Sequence, residues 1–81
     1  MPGRTKFNRL LKSAGTRIKQ LRRAKGLSQE ELADLAGCHR TYVGMLERGE
    51  GNPSLGVLSN IAEALGVEVV ELLGTHPPGP L

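Results

Sequence analysis

The sequence predicts an all-α fold, a compact set of five helices with a short helical extension at the N-terminus, and three observations predict it. Apolar residues recur at the i, i+3, i+4 and i+7 spacings of a helical face, and nowhere at the period of two that a half-buried strand needs. Capping side chains stand ahead of these segments and glycines behind them. The chain has 81 residues, room for one thin aliphatic core that dimerisation would support.

Phe7, Leu10 and Leu11 define a short amphipathic stretch from Lys6 to Ser13. It runs into or abuts a first main helix from Thr16 to Lys25, whose Ile18, Leu21 and Ala24 share one face. A basic last turn followed by Gly26 ends that helix. Ser28 with Glu31 three residues on is a capping box: hydroxyl and carboxylate each satisfy a backbone N–H that the first helical turn leaves without a partner. Leu32, Ala33, Leu35 and Ala36 give the second helix its apolar side, and Gly37 stops it. The third begins near His39 and Arg40 and runs to Arg48 with Val43 and Leu46 inward; His39 holds the cap position where a hydroxyl would be expected. Gly49 to Pro53 is a turn-rich loop. Ser54 caps a fourth helix with Leu55, Leu58, Ile61, Ala62 and Leu65 in its stripe, closed by Gly66. A short, mostly apolar fifth helix spans Val69 to Leu73, with Glu68 as a poor cap. The last eight residues, rich in Pro and Gly, are expected to be disordered. The organisation read from this is a basic extension (1–14), a helical domain (15–73) and a tail (74–81).

Composition narrows the function. Cys38 is the single cysteine, so neither a disulfide framework nor a metal-ligand set is available, and no cofactor is expected. No apolar run approaches the roughly 20 residues of a membrane span. The basic start lacks the apolar stretch of a secretory signal, so the expected setting is cytoplasmic. There is no phosphate-cradling glycine loop and no nucleophile beside a base, which argues against an enzyme and against a small-molecule ligand. Nine of the eleven Lys and Arg lie between Arg4 and Lys25, and no acidic residue precedes Glu30. From residue 26 on, Arg40 and Arg48 face all eight acids. Such separation suits a polyanion, although a basic run is also what a solvated face looks like.

The informative segment is QEELADLAGCHRTYVGMLER, Gln29 to Arg48. Ala33 is small where a second helix would cross, Gly37 sits in the turn, and Val43 and Leu46 anchor the second helix. Small, Gly, aliphatic and aliphatic at the fifth, ninth, fifteenth and eighteenth places form a helix-turn-helix pattern.

From about Gly15 to Leu73 the chain resembles the helix-turn-helix domains of the lambda repressor and Cro family. The phrases RIKQLRRAKGLSQEELADLAG, YVGMLERGEGNPSL and IAEALGVEVVELL carry the resemblance. Within that family, HRTYVGMLERGEGNPSL is most similar to controller proteins of restriction–modification systems. The resemblance implies a five-helix lambda-repressor-like domain that binds double-stranded DNA as a homodimer. For a controller it also implies autoregulation, with one dimer recruiting RNA polymerase and a second blocking it.

Groove geometry then distributes roles. The third helix would lie in the major groove with its N-terminal residues nearest the bases. Arg40 suits guanine O6 and N7, and Thr41 offers a hydroxyl and a methyl. Gly44 would allow close backbone approach, and Met45 would pack on thymine methyls or sugars. Gln29 matches the phosphate-contacting glutamine of the family. Tyr42, Arg17, Arg22, Arg48 and Asn52 are further candidates for the DNA backbone, with plain packing as the alternative for Tyr42. Glu47 reads as a structural residue holding the helix end and loop. Val67, Val69, Val70, Leu72 and Leu73 exceed what a small core absorbs and suggest a two-fold seam, the alternative being that they close the monomer. The competing function is an antitoxin-type module that binds DNA and a toxin.

Overall fold

The computed structural model describes the backbone of residues 2–73 and the side chains of residues 6–73, so the expectation of a disordered tail lies outside the described residues. Five helices follow one another: α1 (Pro2–Ala24), α2 (Gln29–Ala36), α3 (Arg40–Glu47), α4 (Leu55–Leu65) and α5 (Val69–Leu72). The extension and the first main helix are one element. α1 runs unbroken for 23 residues, about 35 Å at the α-helical rise. The boundary expected at residue 15 falls inside it.

The reason is a continuous apolar edge. Leu11, Ala14 and Ile18 recur at helical spacing and all three are buried, so the buried face of α1 begins at Leu11, ahead of the expected boundary. Phe7 and Leu10 lie further out, at 43% and 38% exposure. They border a small apolar groove with Leu46, Pro53, Leu58 and Leu73. Ala24, expected on this face, is exposed; six residues past Ile18, it has rotated about 240° away from the core.

Caps set most other boundaries. Ser28 Oγ accepts the Glu31 N–H at 3.0 Å, and the Glu31 carboxylate accepts the Ser28 N–H at 2.8 Å. Gly37 closes α2 at φ +72°, the left-handed conformation that an L side chain adopts only with strain. Ser54 Oγ accepts the Val57 N–H at 3.1 Å. At Glu68 the helix is held by its own third residue, the Glu71 carboxylate accepting the Glu68 N–H at 2.8 Å. His39 does cap α3, through its ring: Nδ1 accepts the Thr41 N–H at 3.1 Å, which requires that nitrogen to be unprotonated.

Ile18, Leu32, Val43, Ile61, Leu65 and Leu72 are fully buried, at least one from each helix. Leu72 thereby corrects the seam expected from the sequence. It is 0% exposed and closes the monomer core, a burial that contributes on the order of 2 kcal/mol. Val67 and Val69 are half-buried against that core, Leu73 is half-buried, and Val70 is 57% exposed. Leu35, read as part of the apolar side of α2, is 62% exposed because no helix covers it.

α1 meets the C-terminal end of α3 at unusually close range. A Cβ at Gly15 would run into the Leu46 carbonyl oxygen and lie 2.9 Å from that of Glu47. Gly49, at φ +73°, sits against the Lys12 backbone in the same way, a Cβ there lying 2.9 Å from Lys12 Cα. Glycine at 15 is a requirement of this packing. Replacing it with alanine is expected to destabilise the fold by about 2 kcal/mol despite the better helix propensity of alanine. Urea denaturation measures this, and a neutral or stabilising result would show that α1 sits further from α3.

Candidate nucleic-acid interface

The two-helix motif is built as its residue sizes require. Ala33 is 1% exposed where α2 and α3 approach, Gly37 makes the turn, and Val43 and Leu46 are buried beneath α3. With its apolar side fixed, α3 presents the remainder outward. Arg40 and Thr41 are exposed at its N-terminal end, Met45 is half-buried, and Arg48 and Asn52 are exposed at its C-terminal end and in the following loop. Arg40 shares a shallow depression with Glu30, Asp34, Cys38 and His39. The ion pairs among the described residues are Arg22–Glu47 and Arg48–Glu50, so Arg40 is not tied to Asp34. Tyr42 is half-buried against the core.

Behind this surface lies a polar cluster that fixes α3 to its neighbours. Arg22 Nε donates to Glu47 Oε2 at 2.6 Å and Nη2 to Oε1 at 3.1 Å, a two-pronged pair between α1 and the last residue of α3. Arg22 Nη1 donates to the Leu27 carbonyl at 2.8 Å, tying in the turn before α2. From α2, Gln29 Nε2 donates to Glu47 Oε1 at 3.0 Å. One carboxylate thus joins three elements. The side chains of Arg22 and Glu47 are 10% and 3% exposed. Burial pushes the Glu47 carboxyl up, but the hydrogen bonds from Arg22 and Gln29, with the charges of Arg22 and Lys19, reverse this and hold it below the ordinary value.

Several expectations change here. Arg22 was expected on the DNA backbone; it is 8% exposed, and its guanidinium is engaged by Glu47 and the Leu27 carbonyl. Arg17 is exposed beside Ser13, Thr16 and Gln20, all of α1. It lies two residues on from Gly15, about 200° round the helix from the flank that meets α3. The structure therefore does not bring it together with the recognition surface. Gly44 is buried: the space of its missing side chain is filled by Arg48, with Nη1 3.3 Å from a Cβ there, and by Gln29, with Oε1 at 3.7 Å. The close approach that Gly44 permits is of those two side chains, in place of DNA. Glu47 is structural as read, but its main partner is in α1.

Sequence reading missed Arg22 as a core group, and a signal existed: it stands four residues after Ile18 and eleven after Leu11, on the buried face. Nothing local marked Glu47 as its partner, 25 residues away. Cys38 is half-buried, and burial pushes its thiol up, away from the reactive thiolate. Among the described residues no three His, Cys, Asp or Glu side chains form a group able to hold a metal ion.

Comparison with known proteins gives this geometry its context. The model of the helix-turn-helix family matches residues 18–72. The chain is similar to the control protein C.SmaI of Serratia marcescens, 45% identical over 56 residues, covering 69% of this chain and 67% of that protein. In structure it is similar to the restriction–modification controller protein C.AhdI of Aeromonas hydrophila, with 52% identity, a TM-score of 0.74, and coverage of 76% of this chain and 94% of that one. It is similar also to SinR, the master regulator for biofilm formation, in its complex with DNA: 43% identity, a TM-score of 0.70, and coverage of 74% and 97%. SinR is known from Bacillus subtilis.

The Arg22–Glu47 cluster carries a pH dependence. The Glu47 carboxyl is depressed when folded and near its ordinary value of about 4.3 when unfolded. The stability it contributes is present above that ordinary value and is lost as pH falls through the depressed one. Thermal midpoints measured between about pH 7 and pH 2 are expected to drop through this window. In Glu47→Gln the drop should be shallower and start from a stability about 3 kcal/mol lower. Equal acid sensitivity in both proteins would assign the effect to other carboxylates.

Proposed function

This chain belongs to the helix-turn-helix family of transcriptional regulators, and from that premise we propose that it is a homodimeric controller protein that reads a pseudo-palindromic operator and regulates its own gene. The observation that carries the reading is the outward placement of Arg40 and Thr41 at the start of a helix whose other end is locked by Glu47.

In the major groove, Arg40 donates two hydrogen bonds to guanine O6 and N7. The Thr41 N–H is used by His39, which leaves its exposed side chain, a hydroxyl and a methyl, for the bases. Met45, one turn on, packs on thymine methyls or sugars. The exposed Arg48–Glu50 pair is worth at most about 1 kcal/mol, so a phosphate readily takes Arg48 from it. Gln29 spends one amide N–H on Glu47 and has a second for a phosphate beside the N-terminus of α2. Asn52 and the Tyr42 hydroxyl complete the backbone contacts, which set register while the base contacts set sequence choice.

Dimerisation rests on Val70 and Leu73, flanked by Val67 and Val69, now without Leu72. A two-fold axis there would place two copies of α3 on half-sites about one helical turn, roughly 34 Å, apart. The similarity to C.SmaI and C.AhdI supports the controller reading over the antitoxin one. Recruitment of RNA polymerase from one site and blocking from a second belong to the same reading. No helix among the described residues is long and apolar enough to cross a membrane.

Selection of bound genomic fragments by the purified protein is expected to recover a symmetric motif upstream of its own gene. Arg40→Ala should weaken binding to that motif by about 1–3 kcal/mol and relax one base pair per half-site. Recovery of no motif, or equal weakening on scrambled DNA, would contradict the base-reading role.

A further inference from the structure

Four of the exposed cations of α1 share one face. Arg9, Lys12, Lys19 and Arg23 stand at i, i+3, i+10 and i+14, with Thr16 between them, which places them on one stripe of the helix. All four are exposed. The stripe covers about 21 Å, the length of about six nucleotide steps along one DNA strand.

The flank on which it lies is fixed at two points. The Lys12 backbone and Cγ are the atoms nearest Gly49, 2.7–3.2 Å from a Cβ placed there, so this part of the stripe borders the loop that follows α3. Seven residues on, Lys19 is close enough for its charge to act on the Glu47 carboxylate at the end of α3. Glu47 and Glu50 are already engaged, with Arg22 and Arg48. Arg9 with Lys12 and Lys19 with Arg23 are like-charge neighbours at i, i+3 and i, i+4, an arrangement that disfavours an isolated helix. A solvated face gains nothing from such alignment, whereas a row of phosphates does.

We infer that the stripe of Arg9, Lys12, Lys19 and Arg23 is a second DNA-backbone contact, gripping phosphates beside the major groove that α3 enters. The inference rests on the DNA-binding reading above and extends it. Arg9 and Lys12 lie ahead of the segment that the family model matches, which begins at residue 18, and there they add a grip that strengthens binding without reading sequence.

The test is the salt dependence of binding to a mixed-sequence duplex of about 30 base pairs, followed by fluorescence anisotropy between about 50 and 200 mM salt. Lys12→Gln/Lys19→Gln removes two stripe charges and keeps the methylenes that pack against Gly49. Lys6→Gln/Lys25→Gln removes two exposed charges off the stripe: Lys6 is six residues before Lys12 and so about 120° round the helix, and Lys25, past the end of α1, lies beside Gly66. The stripe variant is expected to flatten the slope of log K against log salt by about 1.8, and the other pair by less than about 0.5. Lys12→Arg/Lys19→Arg should retain the original slope, separating loss of charge from loss of fold. Equal flattening in both glutamine variants, no flattening in either, or a flattened slope in the arginine variant would overturn the inference while leaving DNA binding intact. No binding by the unaltered protein would overturn both.

Discussion

The orientation of the recognition helix depends on one buried ion pair. α3 is eight residues long, shorter than an isolated helix can be and remain stable in water. In the proposed reading its N-terminal end meets bases while its C-terminal end is held, and holding is the task of Glu47. Arg22 grips both carboxylate oxygens, Gln29 donates to one of them, and Arg22 also binds the turn before α2. Three elements that share little sequence proximity are thereby set at one point. A buried charge pair gives little net stability but is severe when halved, so its value here is positional: α3 cannot tilt on α1 without leaving a charge unpaired.

Steric constraints act at the same corner. Gly15 lets α1 come against the carbonyls of Leu46 and Glu47, and Gly49 lets the loop turn beside Lys12. The polar pair fixes orientation and the glycines fix distance. Gly44 belongs to this group too, since it makes room for Gln29 and Arg48 to lie across α3. What looked in the sequence like a residue for DNA approach serves the packing of two side chains that are themselves candidates for phosphates.

Much of this was legible in the residues and some was not, for physical reasons. The five helices, the Ser28–Glu31 box, the Gly37 and Gly66 stops and the inward Val43 and Leu46 all follow from local spacing and capping chemistry, which act within a few residues. The union of the extension with the first helix is not decided by local spacing, because the burial that joins them comes from contacts distant in sequence. Arg22 was misplaced because basic residues are presumed outside, although its register put it on the buried face. Arg17 was grouped with the DNA contacts on charge alone, and charge does not tell one flank of a helix from the other. Leu72 could not be told from Val70 by composition; only two residues of helical rotation, about 200°, separate the core residue from the exposed one.

Arg22 and Glu47 act as one unit, and a double-mutant cycle tests this most directly. Arg22→Met, Glu47→Leu and the double variant would be compared by urea denaturation at neutral pH. Each single change is expected to destabilise by about 3 kcal/mol, since each leaves a buried charge without its partner. The double should be less destabilising than the sum by about 2 kcal/mol or more. Additive losses would contradict this, showing that the two side chains contribute independently of each other.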